Sequence, residues 1–238
     1  MKNYVLIPII VVSVVVSWFI WTNSPEYVKQ GGPLLVLGLT FLFMALTFAV
    51  ERFIVLGRAG GRSDVASFVG SMKQALHAGE VGEAIKACKT QGGSLANVIG
   101  AGLERYQEQR TGQAPKREQM TETRRALLEA TALESPNLEQ NLTALSTIAS
   151  IATLLGLLGT TIGMIRSFQA MSHAGAPDAT QLALGISEAL VNTALGLTTA
   201  IIATVLYNYF TTKVDTFNNR VEETSYEVLQ LLEGARES

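Results

Sequence analysis

Charge is scarce in this sequence: Asp, Glu, Lys and Arg make up 16% of its 238 residues, against about 25% in ordinary globular domains. The deficit is concentrated. Residues 3–25, 30–50, 140–165 and 189–212 contain none of the four types, and each run reaches the ~20 residues that a helix needs to cross a ~30 Å hydrocarbon core. Cysteine occurs once, at Cys88, which excludes an internal disulfide and a Cys-built metal site. The two histidines, His77 and His173, form no ligand cluster, so neither a metal nor a cofactor is expected. A basic stripe is missing too: residues 51–139 balance 11 acids against 12 bases, which leaves no footprint for nucleic acid. No nucleophile–base pair, phosphate loop or metal spacing points to an enzyme. No alternating β pattern is present.

What remains is apolar and helical. The expected fold class is all-α: a polytopic membrane protein whose long helices extend into a cytoplasmic helical bundle. The first apolar run, Tyr4 to Trp21, reads as a retained span or anchor rather than a cleaved leader, because it is long and ends in Trp18, Phe19 and Trp21. The second run opens after Gly31, Gly32 and Pro33 and closes at Glu51 and Arg52. Lys and Arg set orientation. Arg52, Arg58 and Arg62 flank the second run and Lys213 and Arg220 follow the last, whereas 172–178 has none and 22–32 only Lys29. The middle segment and the tail are therefore expected in the cytoplasm, as is an N-terminus carrying Lys2, and four spans follow.

Between the spans, Ser63 and Asp64 suit a helix start and Gly79 its end; Glu80 to Gln91 stops at Gly92 and Gly93; Ser94 opens a helix to about Gln109; and Lys116 to Glu134 follows a Gly112–Pro115 loop. From about Asn137 the chain is expected to run unbroken into the third span. In the tail, Val214, Phe217, Val221, Val228 and Leu231 fall on one helical face, fit to pack on the middle segment. The organisation is thus an N-terminal span (1–24), a loop and second span (25–56), a cytoplasmic segment (57–136), two long membrane helices (137–210) and a C-terminal helix (211–238).

The last two spans carry the candidate chemistry. Gly156, Gly159 and Gly163 in the third and Gly185 and Gly196 in the fourth recur at spacings that let membrane helices approach closely. Thr160, Thr161 and Thr193 either bond their own backbone or line a polar path. Glu188 lies about nine residues into the fourth span, ~13 Å along its axis, with Asn192 one turn on. A carboxylate at such depth costs ~2.5–3.5 kcal/mol and normally faces protein or water. It either serves an ion path or is simply satisfied by Arg166, near the outer end of the third span. With one membrane carboxylate and no relay of acids, the chain makes a poor self-sufficient proton transporter; a second carboxylate from another chain would complete a path.

At these residues the sequence resembles a known family. The run Leu154-Leu-Gly-Leu-Leu-Gly-Thr-Thr-Ile-Gly-Met-Ile-Arg-Ser-Phe168 and the run Gly185-Ile-Ser-Glu-Ala-Leu-Val-Asn-Thr-Ala-Leu-Gly-Leu197, closing in Tyr207-Asn208, are similar to membrane segments of ExbB/TolQ proteins, the proton-channel subunits related to MotA. Glu51-Arg52 and the stretch from His77-Ala-Gly-Glu80 through Cys88 to Ser94-Leu95 extend the likeness to roughly 31–235. By that resemblance Thr160 and Thr193 stand at pore-facing positions and Glu188 at the conduit glutamate; Asn192, Thr161 and Arg166 are candidates, from the residues alone, for a secondary polar path. The resemblance also implies a cyclic homo-oligomer, a pentamer in the inner membrane. It would surround a dimer of an ExbD/TolR-type single-span partner whose membrane Asp carries protons. A TonB- or TolA-like protein would then transmit the work to the outer membrane. The chain departs from the family at Thr153 and Ile202, where proline is usual, and at Thr161 and Asn192, where Val and Ala or Thr are common; without those prolines both helices should be straighter. The alternatives are a stand-alone channel or transporter and a structural membrane scaffold.

Overall fold

The computed structural model describes residues 3–173 and 179–234. Two features used above for orientation, Lys2 and most of the 172–178 connection, lie outside the described residues. Within them every regular element is a helix: α1 (Asn3–Asn23), α2 (Glu26–Lys29), α3 (Gly32–Ala59), α4 (Val65–His77), α5 (Val81–Gln91), α6 (Gly93–Thr111), α7 (Lys116–Glu139), α8 (Leu142–His173) and α9 (Ala179–Gly234). The all-α reading is borne out. The contacts divide the chain into two units, residues 1–52 with 141–210 and residues 53–140 with 211–238.

The first unit is a membrane body. Three stretches, within α3, the α7–α8 run and α9, are long and apolar enough to span, while the described apolar part of α1, Ile7–Asn23, is shorter. Their outer faces carry large apolar side chains such as Val15, Phe19, Leu37, Leu157, Ile165, Leu190 and Ile201, each exposed. A water-soluble protein rarely shows contiguous apolar surface on this scale; lipid or further protein must cover it. The chain is a membrane protein. At the end of this unit Arg52 is almost wholly buried and bonds Glu51, Nε to Oε2 at 2.7 Å, and the same Oε2 accepts from Asn141 Nδ2 at 3.0 Å.

Asn141 marks a departure from the sequence reading. The helix expected to run unbroken into the third span is interrupted: α7 continues to Glu139, Gln140 turns extended (φ −53°, ψ 140°) and Asn141 adopts φ 66° before α8 begins. Asparagine tolerates the left-handed region better than other side-chain-bearing residues, and here its amide is held by Glu51. Downstream no such break occurs. Helix α9 is continuous over 56 residues, roughly 84 Å at 1.5 Å per residue, far more than the bilayer requires.

The second unit is a helical bundle in which α4 packs on α5, α5 on α6 and α6 on α7. Its helices form because apolar residues recur at helical spacing. Phe68, Met72 and Leu76 on α4, Leu95, Ile99 and Leu103 on α6, and Val221, Val228 and Leu232 on the tail of α9 share one core. Of the tail residues expected to pack, Val221 and Val228 enter this core, Phe217 and Leu231 are partly buried against it, Val214 is not part of it, and Leu232 joins it instead. Asp64 caps α4, its Oδ2 accepting from the amides of Ala66 and Ser67 at 3.1 and 3.2 Å. Asp64→Ala should therefore lower the thermal stability of the bundle by about 1 kcal/mol.

Gln91, which sequence reading used only as a helix end, ties the α3 exit to the α5–α6 joint. Its Nε2 donates to the Gly60 and Ser63 carbonyls at 2.8 and 2.7 Å. A Cβ on Gly93 would lie 2.6 Å from both the Ala59 carbonyl oxygen and the Gly61 nitrogen, so only glycine fits there.

Cys88 is buried in the same core beside Gly100. Burial, with a smaller contribution from Glu104, pushes its thiol up to about 12, so the nucleophilic thiolate is scarce at neutral pH. The native chain should react with maleimide at least about a thousand-fold more slowly than the unfolded chain, since a thiol at about 12 holds that much less thiolate at neutral pH than one at the ordinary ~8.5. Because Cys88 is the sole cysteine, bulk labelling reads this out directly.

Candidate functional site

Helices α8 and α9 run against each other along a seam of small residues. A Cβ on Gly163 would lie 2.6 Å from the Gly185 carbonyl oxygen and 2.7 Å from Ala189 Cβ. One on Gly196 would lie 2.6 Å from the Ala152 carbonyl oxygen and 2.7 Å from Gly156 Cα. Gly159 abuts the Asn192 side chain, and Gly185 abuts Ser167. Fully buried Ser167 donates to the Leu182 carbonyl at 3.2 Å. The two backbones come this close because no side chain intervenes, which is how helices associate where lipid supplies no hydrophobic drive.

Glu188 sits on the buried side of α9. Arg166 Nη1 contacts both of its carboxylate oxygens, Oε2 at 2.5 Å. The pair is unequal: the Glu188 side chain is 10% exposed and that of Arg166 53%. The acid is committed to protein while the guanidinium keeps one side open. One turn further, Asn192 is buried and donates from Nδ2 to the Gly31 carbonyl at 2.9 Å. Thr199, eleven residues beyond Glu188 and on the same helical face, is fully buried, and its Oγ1 has no hydrogen-bond partner among the described residues. Glu188, Asn192 and Thr199 thus form a polar column on the buried face of α9.

The three threonines named from sequence separate. Thr193 Oγ1 reaches across the seam to the Gly156 carbonyl at 2.9 Å. Thr160 and Thr161 instead bond the Leu157 carbonyl of their own helix, at 2.7 and 3.1 Å. Thr161 is exposed and Thr160 half-buried. Along the exposed side of α8 they continue a line of hydroxyls at Thr143, Thr147, Ser150 and Thr153, of which the last three bond the carbonyl four residues back. The structure therefore joins Glu188 to Arg166 and Asn192 to the start of α3, and leaves Thr160 and Thr161 bonded within their own helix, the first half-buried and the second exposed.

Sequence reasoning missed Gln30, Gly31 and Gly32 as neighbours of this site. Ser187 Oγ donates to Gln30 Oε1 at 2.7 Å, and a Cβ on Gly32 would lie 2.9 Å from Glu188 Oε1. The Gly-Gly-Pro run was legible as a helix start; its meeting with a segment some 157 positions away was not.

Comparison with known proteins bears on the same residues. Residues 93–223 match the model of the MotA/TolQ/ExbB proton channel family. The chain is 27% identical over 197 residues to a Methanothermobacter thermautotrophicus protein named as an ExbB homologue in biopolymer transport, covering 83% of this chain and 66% of that one. It is 39% identical over 93 residues to the Tol-Pal system protein TolQ of Haemophilus influenzae, covering 39% and 41%. With the biopolymer transport protein ExbB of Pseudomonas putida it shares 38% over 96 residues, covering 40% and 29%. The chain thus spans between 29% and 66% of the length of these relatives.

Proposed function

Since the chain belongs to the MotA/TolQ/ExbB proton channel family, we propose that it is the proton-conducting subunit of an ExbB/TolQ-type motor in the inner membrane, with its middle segment and tail in the cytoplasm. The observation that carries this reading is Glu188, a carboxylate buried on a membrane helix at the top of a polar column, against a seam that also holds Arg166, Asn192 and Thr193. It is the single acid on α8 and on α9 up to Tyr209, so a second carboxylate must come from elsewhere. A single-span ExbD/TolR-type partner carrying a membrane Asp supplies it. The hydroxyl-bearing face of α8, including Thr160 and Thr161, then lines a seam between protomers of a homo-oligomer, a pentamer by the family resemblance. A TonB- or TolA-like protein takes up the work. Each proton crossing releases ~2.3 kcal/mol per 100 mV of membrane potential for that work.

The test is reconstitution into liposomes under an imposed potential, with and without a single-span ExbD/TolR-type protein that carries a membrane Asp. Proton uptake should require both proteins. Robust flux from this chain alone would instead favour the stand-alone channel.

A further inference from the structure

The turn that opens α3 touches the Glu188 segment at three successive residues. Gln30 Oε1 accepts from Ser187 Oγ at 2.7 Å. The Gly31 carbonyl accepts from Asn192 Nδ2 at 2.9 Å. Gly32, at φ +65°, leaves room beside the pair: a Cβ there would sit 2.9 Å from Glu188 Oε1 and 3.8 Å from Arg166 Nη1. A helix start has no need of such contacts. One hydrogen bond to a side chain on each flank of Glu188, and a missing side chain directly over it, amount to a fitted cover. Gln30, Gly31 and Gly32 all lie outside the 93–223 stretch matched to the family.

We propose that Gln30 and Gly31 are positioning residues that latch the turn onto α9 and hold Glu188 in its Arg166-paired, closed state, and that conduction requires the turn to lift. The inference rests on the conduit reading of Glu188 and adds the element that gates it. The latch is held by one side-chain bond and one backbone carbonyl, so it opens without breaking a helix. Releasing Ser187 and Asn192 lets the carboxylate turn from Arg166 toward a second chain.

The readout is reaction of Glu188 with dicyclohexylcarbodiimide, which enters lipid and modifies accessible membrane carboxyl groups. The full chain is labelled in membranes and the modified peptide identified by mass spectrometry, with Glu188→Gln as the blank. Gln30→Ala and Ser187→Ala should each raise labelling at position 188 about five-fold, the worth of one net hydrogen bond. Ser187→Thr, which keeps the hydroxyl, should label at the wild-type rate. Equal labelling in all variants, or a rise in Ser187→Thr matching that in Ser187→Ala, overturns the latch. If Glu188→Gln retains wild-type proton flux, the conduit reading fails, whatever the labelling shows. If it loses flux while the alanine variants label normally, the latch alone fails.

Discussion

Glu188→Gln, in the chain reconstituted with its partner, should lower proton flux by about 100-fold or more, the usual range for removing a positioned proton-transfer group, while leaving the protein folded. Glutamine has the same shape and still offers Arg166 an oxygen, so packing is kept and only the titratable group is lost. Removing the other partner should do the reverse. Arg166→Ala leaves the carboxylate buried with no counter-ion, and breaking a buried pair this way costs ~3–5 kcal/mol. Because the guanidinium is 53% exposed, part of its attraction is already screened, and about 2–3 kcal/mol is expected here. Combining Arg166→Ala with Glu188→Gln should recover most of that loss, since no uncompensated charge remains. Thermal unfolding in detergent measures the stability cycle and liposome flux the activity. Wild-type flux in Glu188→Gln would end the conduit reading.

Valine at Gly163 or Gly196 should be strongly damaging. At Gly163 the new Cβ meets the Gly185 carbonyl oxygen at 2.6 Å, and at Gly196 it meets the Ala152 carbonyl oxygen at the same distance. Both obstacles are backbone, which cannot turn aside as a side chain does. Overpacking usually costs ~1–3 kcal/mol; two rigid backbones forced apart should reach or exceed the upper figure, and flux should be lost with it. Gly70→Ala provides the contrast. Gly70 lies inside α4 with nothing within 4 Å of an added Cβ, so alanine should raise stability by about 0.5–1 kcal/mol through helix propensity alone. If Gly163→Val matched wild type in yield, melting temperature and flux, the seam would not be the close contact described.

Much of the bundle was legible because its signals are local. Asp64 before an apolar repeat marks a helix start, and Gly79 and the Gly92-Gly93 pair mark ends, whatever the rest of the chain does. The break at Gln140 and Asn141 was not legible. An asparagine between two helical runs is an ordinary surface residue until Glu51, 90 positions away, holds its amide. Gln91 passed as a helix terminus for the same reason, since its partners are carbonyls some thirty residues upstream.

The candidate site divides along the same line. Glu188, Asn192 and the threonines stood out because a polar group in a charge-free run is conspicuous by composition. Of their partners only Arg166, offered from sequence as the group that would satisfy Glu188, was legible. That Thr193 bonds Gly156 while Thr160 and Thr161 bond their own helix depends on the rotation of α8 against α9, which helical spacing leaves open by a full turn.

By itself, then, the sequence determined that this is a helical membrane protein, where the helices of the bundle from α4 to α6 start and stop, and which few polar groups lie within the spans. Those properties follow from solvation and backbone propensity, which act residue by residue. Only the tertiary structure decided that Arg166 pairs with Glu188, that Thr193 crosses the seam, and that the Gln30–Gly32 turn closes over the acid. Each of those requires a particular register between segments distant along the chain, and register is set by how glycine surfaces interlock in space.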